Sequence, residues 1–200
     1  MTEAAPKSDG GGGAELLRRA ALGEPEAVDR WFRREHPAVF RLCAGFLADA
    51  NEAEDVAQDA MLHLLDRLDR FDGARPWRTW RNALVLNLCR DRRRRRDARA
   101  RAEDARAELA SRQVLPDPAS VVESAELRAL VSGALAGLPP REREAFVLRD
   151  LEGLDTAEAA EALGVGPSTV RSLLTLARRR LRELLAPRLP DTVGGGHGGA

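Results

Sequence analysis

The stretch at 155–184, DTAEAAEALGVGPSTVRSLLTLARRRLREL, limits what this chain can fold into more than any other. It reads as helix, tight turn, helix. Asp155 can cap the first helix, and Glu158, three residues on, completes a capping-box pattern. Ala159, Ala160 and Leu163 lie on one face of that short helix. Gly164 comes next, where the helix must stop in a residue tolerant of positive φ. Val165 is an apolar plug in the turn. Pro167 then suits the first turn of a second helix, where its missing N–H is not needed. Val170, Leu173, Leu174 and Ala177 recur at helical spacing. Small residues around the turn glycine let two helices cross closely and steeply. That is the packing of a helix-turn-helix, whose second helix enters the major groove of DNA. An ordinary helical hairpin is the competing reading of the same residues.

The remaining residues favour helix throughout. Aromatic residues are scarce and tyrosine is absent, while alanine and leucine abound, which suits small helical domains better than a β sandwich. The formal net charge is zero, so bulk electrostatics select no partner, but the charges are unevenly placed. Over 51–72, seven acids face two arginines; over 75–106, twelve arginines face four acids. Cys43 and Cys89 lack CxxC spacing and a nearby histidine pair, so buried reduced thiols are expected and a metal site is not. No apolar run approaches a membrane span, and the N-terminus has no secretory h-region. A cytoplasmic protein without a cofactor is expected.

In chain order, 1–13 reads as a disordered Gly-rich tail. Helices run from Ala14 to Gly23, from Pro25 to a break or kink at Pro37, and through Val39, Leu42, Cys43 and Phe46. Asn51, with Glu54, can cap the next helix, whose stripe is Val56, Ala60, Met61, Leu64, Leu65 and Leu68. Glu52, Asp55, Asp59 and Asp66 lie opposite, as a solvated face or as a docking face for a basic surface. A loop at 71–76 leads to a helix with Trp77, Trp80, Leu84 and Leu88 on one face; Trp80 reads as core and Trp77 as a surface edge. That helix runs into Arg92 to Arg96, a run that belongs in solvent or against phosphates. Residues 98–119 read as a linker. Ser120 and Glu123 can cap a helix carrying Val131 and Leu135 inward, and a further helix places Ala145, Phe146, Leu148 and Leu151 inward. Residues 187–200 read as a second disordered tail. The expected fold is all-α, with two small helical domains (14–97 and 120–186) joined by a flexible linker, the second containing the helix-turn-helix.

These residues carry a resemblance. DANEAEDVAQDAMLHLLDRLDRFD, RPWRTWRNALVLNLCRDRRRRR and LPPREREAFVLRDLEGLDTAEAAEALGVGPSTVRS, in this order, resemble segments of bacterial RNA polymerase sigma factors. The similarity is to the extracytoplasmic-function (ECF) group of the sigma-seventy family and covers roughly 25–186. It implies that Glu54, Asp55, Gln58 and Asp59 contact core RNA polymerase. It implies that Phe71, Arg75, Trp77, Arg78, Asn87, Arg90, Arg93 and Arg94 meet the minus-ten promoter element, where the loop at 71–76 borders a pocket for a flipped base. It implies that Ser168, Thr169, Arg171, Ser172, Thr175, Arg178 and Arg179 meet the minus-thirty-five element. Leu173 and Leu176 depart from the family pattern, since neither can hydrogen-bond a base edge; Leu176 could instead touch a thymine methyl.

The implied function is transcription initiation: core RNA polymerase is brought to promoter DNA, and the chain is no enzyme. An anti-sigma factor is a candidate partner, since members of this group are commonly held by one. Two rival readings are a helix-turn-helix regulator of another class, and a sigma-derived interaction adaptor without initiation activity.

Overall fold

The structure, a computed structural model, describes residues 12–107 and 123–186. The described residues form eight α-helices and no strand. They are α1 (Gly12–Ala21), α2 (Pro25–Leu47), α3 (Ala50–Leu65), α4 (Trp77–Ala107), α5 (Glu123–Ala136), α6 (Pro140–Phe146), α7 (Thr156–Leu163) and α8 (Pro167–Leu185). None of them is long and apolar enough to cross a membrane. Gly12 and Gly13, expected in the first tail, belong to α1; the rest of that tail at 1–11, the tail at 187–200, the cap at Ser120 and the rest of 108–122 lie outside the described residues.

The first four helices share a core of Trp31, Leu42, Phe46, Met61, Leu64 and Leu86, all buried. Pro37 does not break α2. It sits inside one continuous helix, because Trp31 and Glu35 before it and Val39 and Leu42 after it are all buried on the same stripe. The start of α3 also differs from expectation. Asp49, not Asn51, supplies the cap: its Oδ1 accepts the Glu52 N–H at 3.0 Å, and the helix is already formed at Ala50. The arginine-rich helix α4 continues to Ala107, ten residues into the expected linker, through Ala, Arg and Glu, which are strong helix formers.

The second half obeys its sequence pattern at the turn motif. Asp155 accepts from the Ala157 and Glu158 N–H groups, and Glu158 accepts from the Asp155 N–H, so the capping box is complete. Gly164 takes φ 67°, and Pro167 opens α8. Asp155→Ala should cost about 1 kcal/mol of stability, seen as a lower urea midpoint at unchanged slope. Upstream, α6 passes into a π-helical turn over Val147–Leu151. The extra residue rotates the side chains beyond it about the helix axis. Ala145 and Leu148 point inward as expected, but Val147 joins them, Phe146 is only half-buried and Leu151 faces solvent. Val131 is exposed too, since α5 turns Ala134 and Leu135 inward.

One apolar cluster runs from α1–α4 into Val147, Leu148, Leu154, Leu163, Val170 and Leu174. Gly45 of α2 permits the closest approach: a Cβ there would stand 2.9 Å from Val147 Cγ2. Cys43 and Cys89 are buried free thiols, as expected. A hydrogen bond with Cys43, reinforced by burial, pushes the Cys89 thiol well above the ordinary range. Unfolding frees that thiol to ionise, so the unfolded state holds fewer protons once pH exceeds the unfolded thiol value of ~8.5. Stability should fall as pH rises beyond that point, and Cys89→Ser should remove this part of the fall in urea denaturation.

Candidate functional site

Three surfaces gather the residues singled out in the sequence. The first lies on α3. Burial of Val56, Ala60, Met61 and Leu64 turns Glu54, Asp55, Gln58 and Asp59 outward, and all four are exposed. Gln58 Nε2 donates to Glu54 Oε1 at 3.3 Å, and His36 Nε2 lies 3.9 Å from the same oxygen. Glu52 is held more closely than its neighbour Asp55, which lies 3.7 Å from Arg92. Arg92 at 3.4 Å and Arg96 at 2.8 Å bind Glu52 from α4, so this acid ties the two helices together. Leu62, one turn beyond Gln58 and Asp59, is exposed as well.

The second surface spans the 71–76 loop and α4. Phe71 is half-buried, with ring centroids 5.2 Å from Trp77 and 5.7 Å from Trp80. The two tryptophans exchange their expected places. Trp77 is buried, only 5 % exposed, and its Nε1 donates to Glu35 Oε2 at 3.0 Å; Trp80 is half-buried. The buried carboxylate explains the exchange: it gives the Trp77 indole N–H the partner that a buried donor needs. Asn87 is exposed, and Arg94 is exposed but paired with Asp91 one turn earlier. The remaining arginines meet the second half of the chain. Arg75 Nη1 donates to Glu161 Oε1 at 2.8 Å. Arg78 donates to the carbonyls of Glu152 and Gly153 and lies 3.9 Å from Glu158. Arg90 forks onto Glu144 at 3.2 and 2.6 Å, and Arg93 reaches the same carboxylate at 3.4 Å.

The third surface is the outer face of α8. Ser168, Thr169, Arg171, Ser172, Thr175, Arg178 and Arg179 are all exposed there. The hydroxyls of Ser172 and Thr175 back-bond to the carbonyls of Ser168 and Arg171. Arg178 pairs with Asp150 through two contacts of 2.8 and 2.7 Å, which raise its already high pKa. Arg179 lies 3.9 Å from Glu183. Leu173 packs against the core, and Leu176 is half-buried.

Sequence reasoning missed a buried charge cluster between the first two surfaces. Arg81 is 6 % exposed; it donates to Glu35 at 2.8 Å and lies 3.7 Å from Glu152. Arg143 donates to the carbonyls of Phe46, Leu47, Ala136 and Leu138, closing the C-terminal end of α2 from the other half of the chain. Burial lowers its pKa. The signal was present: Glu35 falls on the Trp31–Val39 stripe, and Arg81 on the Trp77–Val85 stripe. A charge in apolar register must be paired.

Comparison with known proteins gives this arrangement its context. Residues 31–99 match the model of Sigma-70 region 2, and residues 128–181 that of Sigma-70, region 4. The chain is 36% identical over 174 residues to the ECF RNA polymerase sigma factor SigM of Mycobacterium tuberculosis, covering 86% of this chain and 84% of that protein. This chain belongs to the ECF RNA polymerase sigma factors. The sigma factor is also 31% identical over 156 residues to SigW of Bacillus subtilis, covering 74% of its own length and 82% of SigW. Its fold matches that of CnrH in complex with the cytosolic domain of CnrY, with TM-score 0.62, 27% identity, and 88% and 97% of the two chains covered. It also shares the fold of the sigma factor RpoE bound to the anti-sigma factor NepR from Bartonella quintana, with TM-score 0.64, 23% identity, and 81% and 98% covered. The sigma factor is thus an initiation factor that directs RNA polymerase to promoters.

Proposed function

We propose that the three surfaces divide the work of initiation. On α3, Glu54, Asp55, Gln58 and Asp59 dock on core RNA polymerase. Phe71, Arg75, Arg78, Asn87, Arg90, Arg93 and Arg94 serve the minus-ten element, with Trp77 supporting Phe71 and Trp80 from beneath. Ser168, Thr169, Arg171, Ser172, Thr175, Arg178 and Arg179 serve the minus-thirty-five element. In this reading, 14–97 and 120–186 act as separate promoter-binding domains on either side of a linker. The observation that carries the reading is the presence of regions 2 and 4, in order, on one chain.

The protein works by binding energy. Stacking and phosphate contacts offset the few kcal/mol of unstacking when a base leaves the duplex, while polymerase supplies the chemistry. The protein itself is no enzyme and acts in the cytoplasm. The structures of CnrH with CnrY and of RpoE with NepR support an anti-sigma partner for this chain as well. Leu173 supports no adaptor reading, because it packs on the core instead of leaving a gap on the reading face.

Run-off transcription with purified core polymerase, on promoters found by mapping transcript starts after induced expression, tests the proposal. Promoter-specific transcripts are expected. Core binding with no transcript from any mapped promoter would replace it with the adaptor reading.

A further inference from the structure

We infer that this sigma factor has a closed state in which its own carboxylates occupy the arginines assigned above to promoter phosphates. The inference rests on that assignment for its functional meaning, and on ion pairs and packing for the state itself. Glu144 is its centre. This carboxylate is 1 % exposed and receives Arg90 at 2.6 Å, Arg93 at 3.4 Å and Arg141 at 3.6 Å. Glu161 holds Arg75 at 2.8 Å, and Arg78 is held by the Glu152 and Gly153 carbonyls. Four of the seven residues proposed for the minus-ten element therefore already have anionic or carbonyl partners from the second half.

A guanidinium fork that grips a carboxylate on both edges presents the same N–H groups it would offer a phosphate. It cannot serve both at once. Glu144 thus acts as an internal stand-in for backbone phosphate.

The closed arrangement also has supports that bear no relation to DNA. Val147 seats against α2 where Gly45 leaves room for it. Arg143 satisfies the Phe46 and Leu47 carbonyls, and Ser132 Oγ donates to the Ala48 carbonyl at 3.3 Å. These contacts hold the second half in place whether or not a polyanion is near. DNA must then pay for opening, and its apparent affinity falls by the fraction of molecules that are open.

Two variants of the full chain open this state by different routes. Glu144→Gln removes the charge that holds Arg90 and Arg93. Gly45→Ala drives a methyl into the β-branched Val147 and changes no charge. Neither residue belongs to the proposed polymerase or DNA contacts. Both should enlarge the radius of gyration seen by small-angle scattering. Both should bind a short mixed-sequence single-stranded DNA roughly tenfold more tightly in fluorescence anisotropy, the effect of weakening the clasp by about 1.4 kcal/mol. Asp29→Asn, on the exposed face of α2, should change neither. Circular dichroism verifies that each variant is folded, and either folded variant suffices. If neither folds, wild-type protein saturated with the same DNA must expand. The closed state is overturned if folded variants keep the wild-type radius and affinity, or if the DNA-saturated wild type keeps its radius. Absent run-off transcripts together with expanded variants would instead strike the promoter assignment and leave the closed state standing.

Discussion

Glu35→Ala should destabilise the protein by about 3–5 kcal/mol, the largest loss expected from any single substitution considered for this chain. The side chain is 4 % exposed and carries two buried hydrogen bonds on one oxygen, from Trp77 Nε1 at 3.0 Å and Arg81 Nη1 at 2.8 Å. Truncation leaves the buried Arg81 charge with the neutral Asn82 Oδ1 at 3.1 Å and the Glu152 carboxylate at 3.7 Å, and strips the indole N–H of its acceptor. The cost lies in those orphaned partners, not in any large intrinsic worth of the ion pair. Two further variants separate these effects. Glu35→Gln keeps an acceptor and should lose less. Glu35→Leu combined with Arg81→Met removes both charges and should recover the part of the loss due to the stranded Arg81 charge, while the Trp77 N–H stays without its acceptor. Urea is the denaturant of choice, since guanidinium chloride would screen the pairs under test. A loss below ~1 kcal/mol for Glu35→Ala would show that the cluster is solvated and unimportant to the fold.

The second large effect concerns function. Asp55→Lys with Asp59→Lys should weaken binding to core RNA polymerase by about a hundredfold, because like charges set against a basic partner cost several kcal/mol. Both acids are exposed on α3; Asp55 lies 3.7 Å from Arg92 of α4, an exposed contact that contributes little to stability. The variant should therefore keep the wild-type urea midpoint while losing its place in a co-purified complex. Glu26→Lys with Asp29→Lys, both exposed on α2, provides the matching change of four charges away from α3 and should bind normally. Core binding within twofold of wild type after the double reversal would remove α3 from the proposed docking surface.

Local chemistry was legible where one residue type answers one backbone demand. Asp155, Glu158, Gly164 and Pro167 each meet a requirement set within four residues, and each sits where that requirement places it. The outward face of α3 was equally plain, because its inward stripe is continuous. Failures came where the deciding partner is distant in sequence. Trp77 is buried because Glu35, forty-two residues away, accepts its N–H. Pro37 stays within a helix because tertiary burial on both sides outweighs one lost hydrogen bond. Leu151 faces out because a π-helical turn adds a residue that no periodicity anticipates. The pairing of Glu144 with Arg90 and Arg93 could not be read at all, since it spans more than fifty positions and joins two stretches that look self-sufficient.

The aromatic cluster has an optical consequence. The chain has three tryptophans and no tyrosine, and Trp31, Trp77 and Trp80 lie together, with centroids 6.5 Å apart for the first pair and 5.2 Å for the second. Intrinsic ultraviolet emission from this protein therefore originates in a single place. That place adjoins Arg81, whose other neighbour, Glu152, arrives from the far half of the chain. The emission wavelength and its quenching by iodide thus report, without any label, the environment of the junction between the two halves.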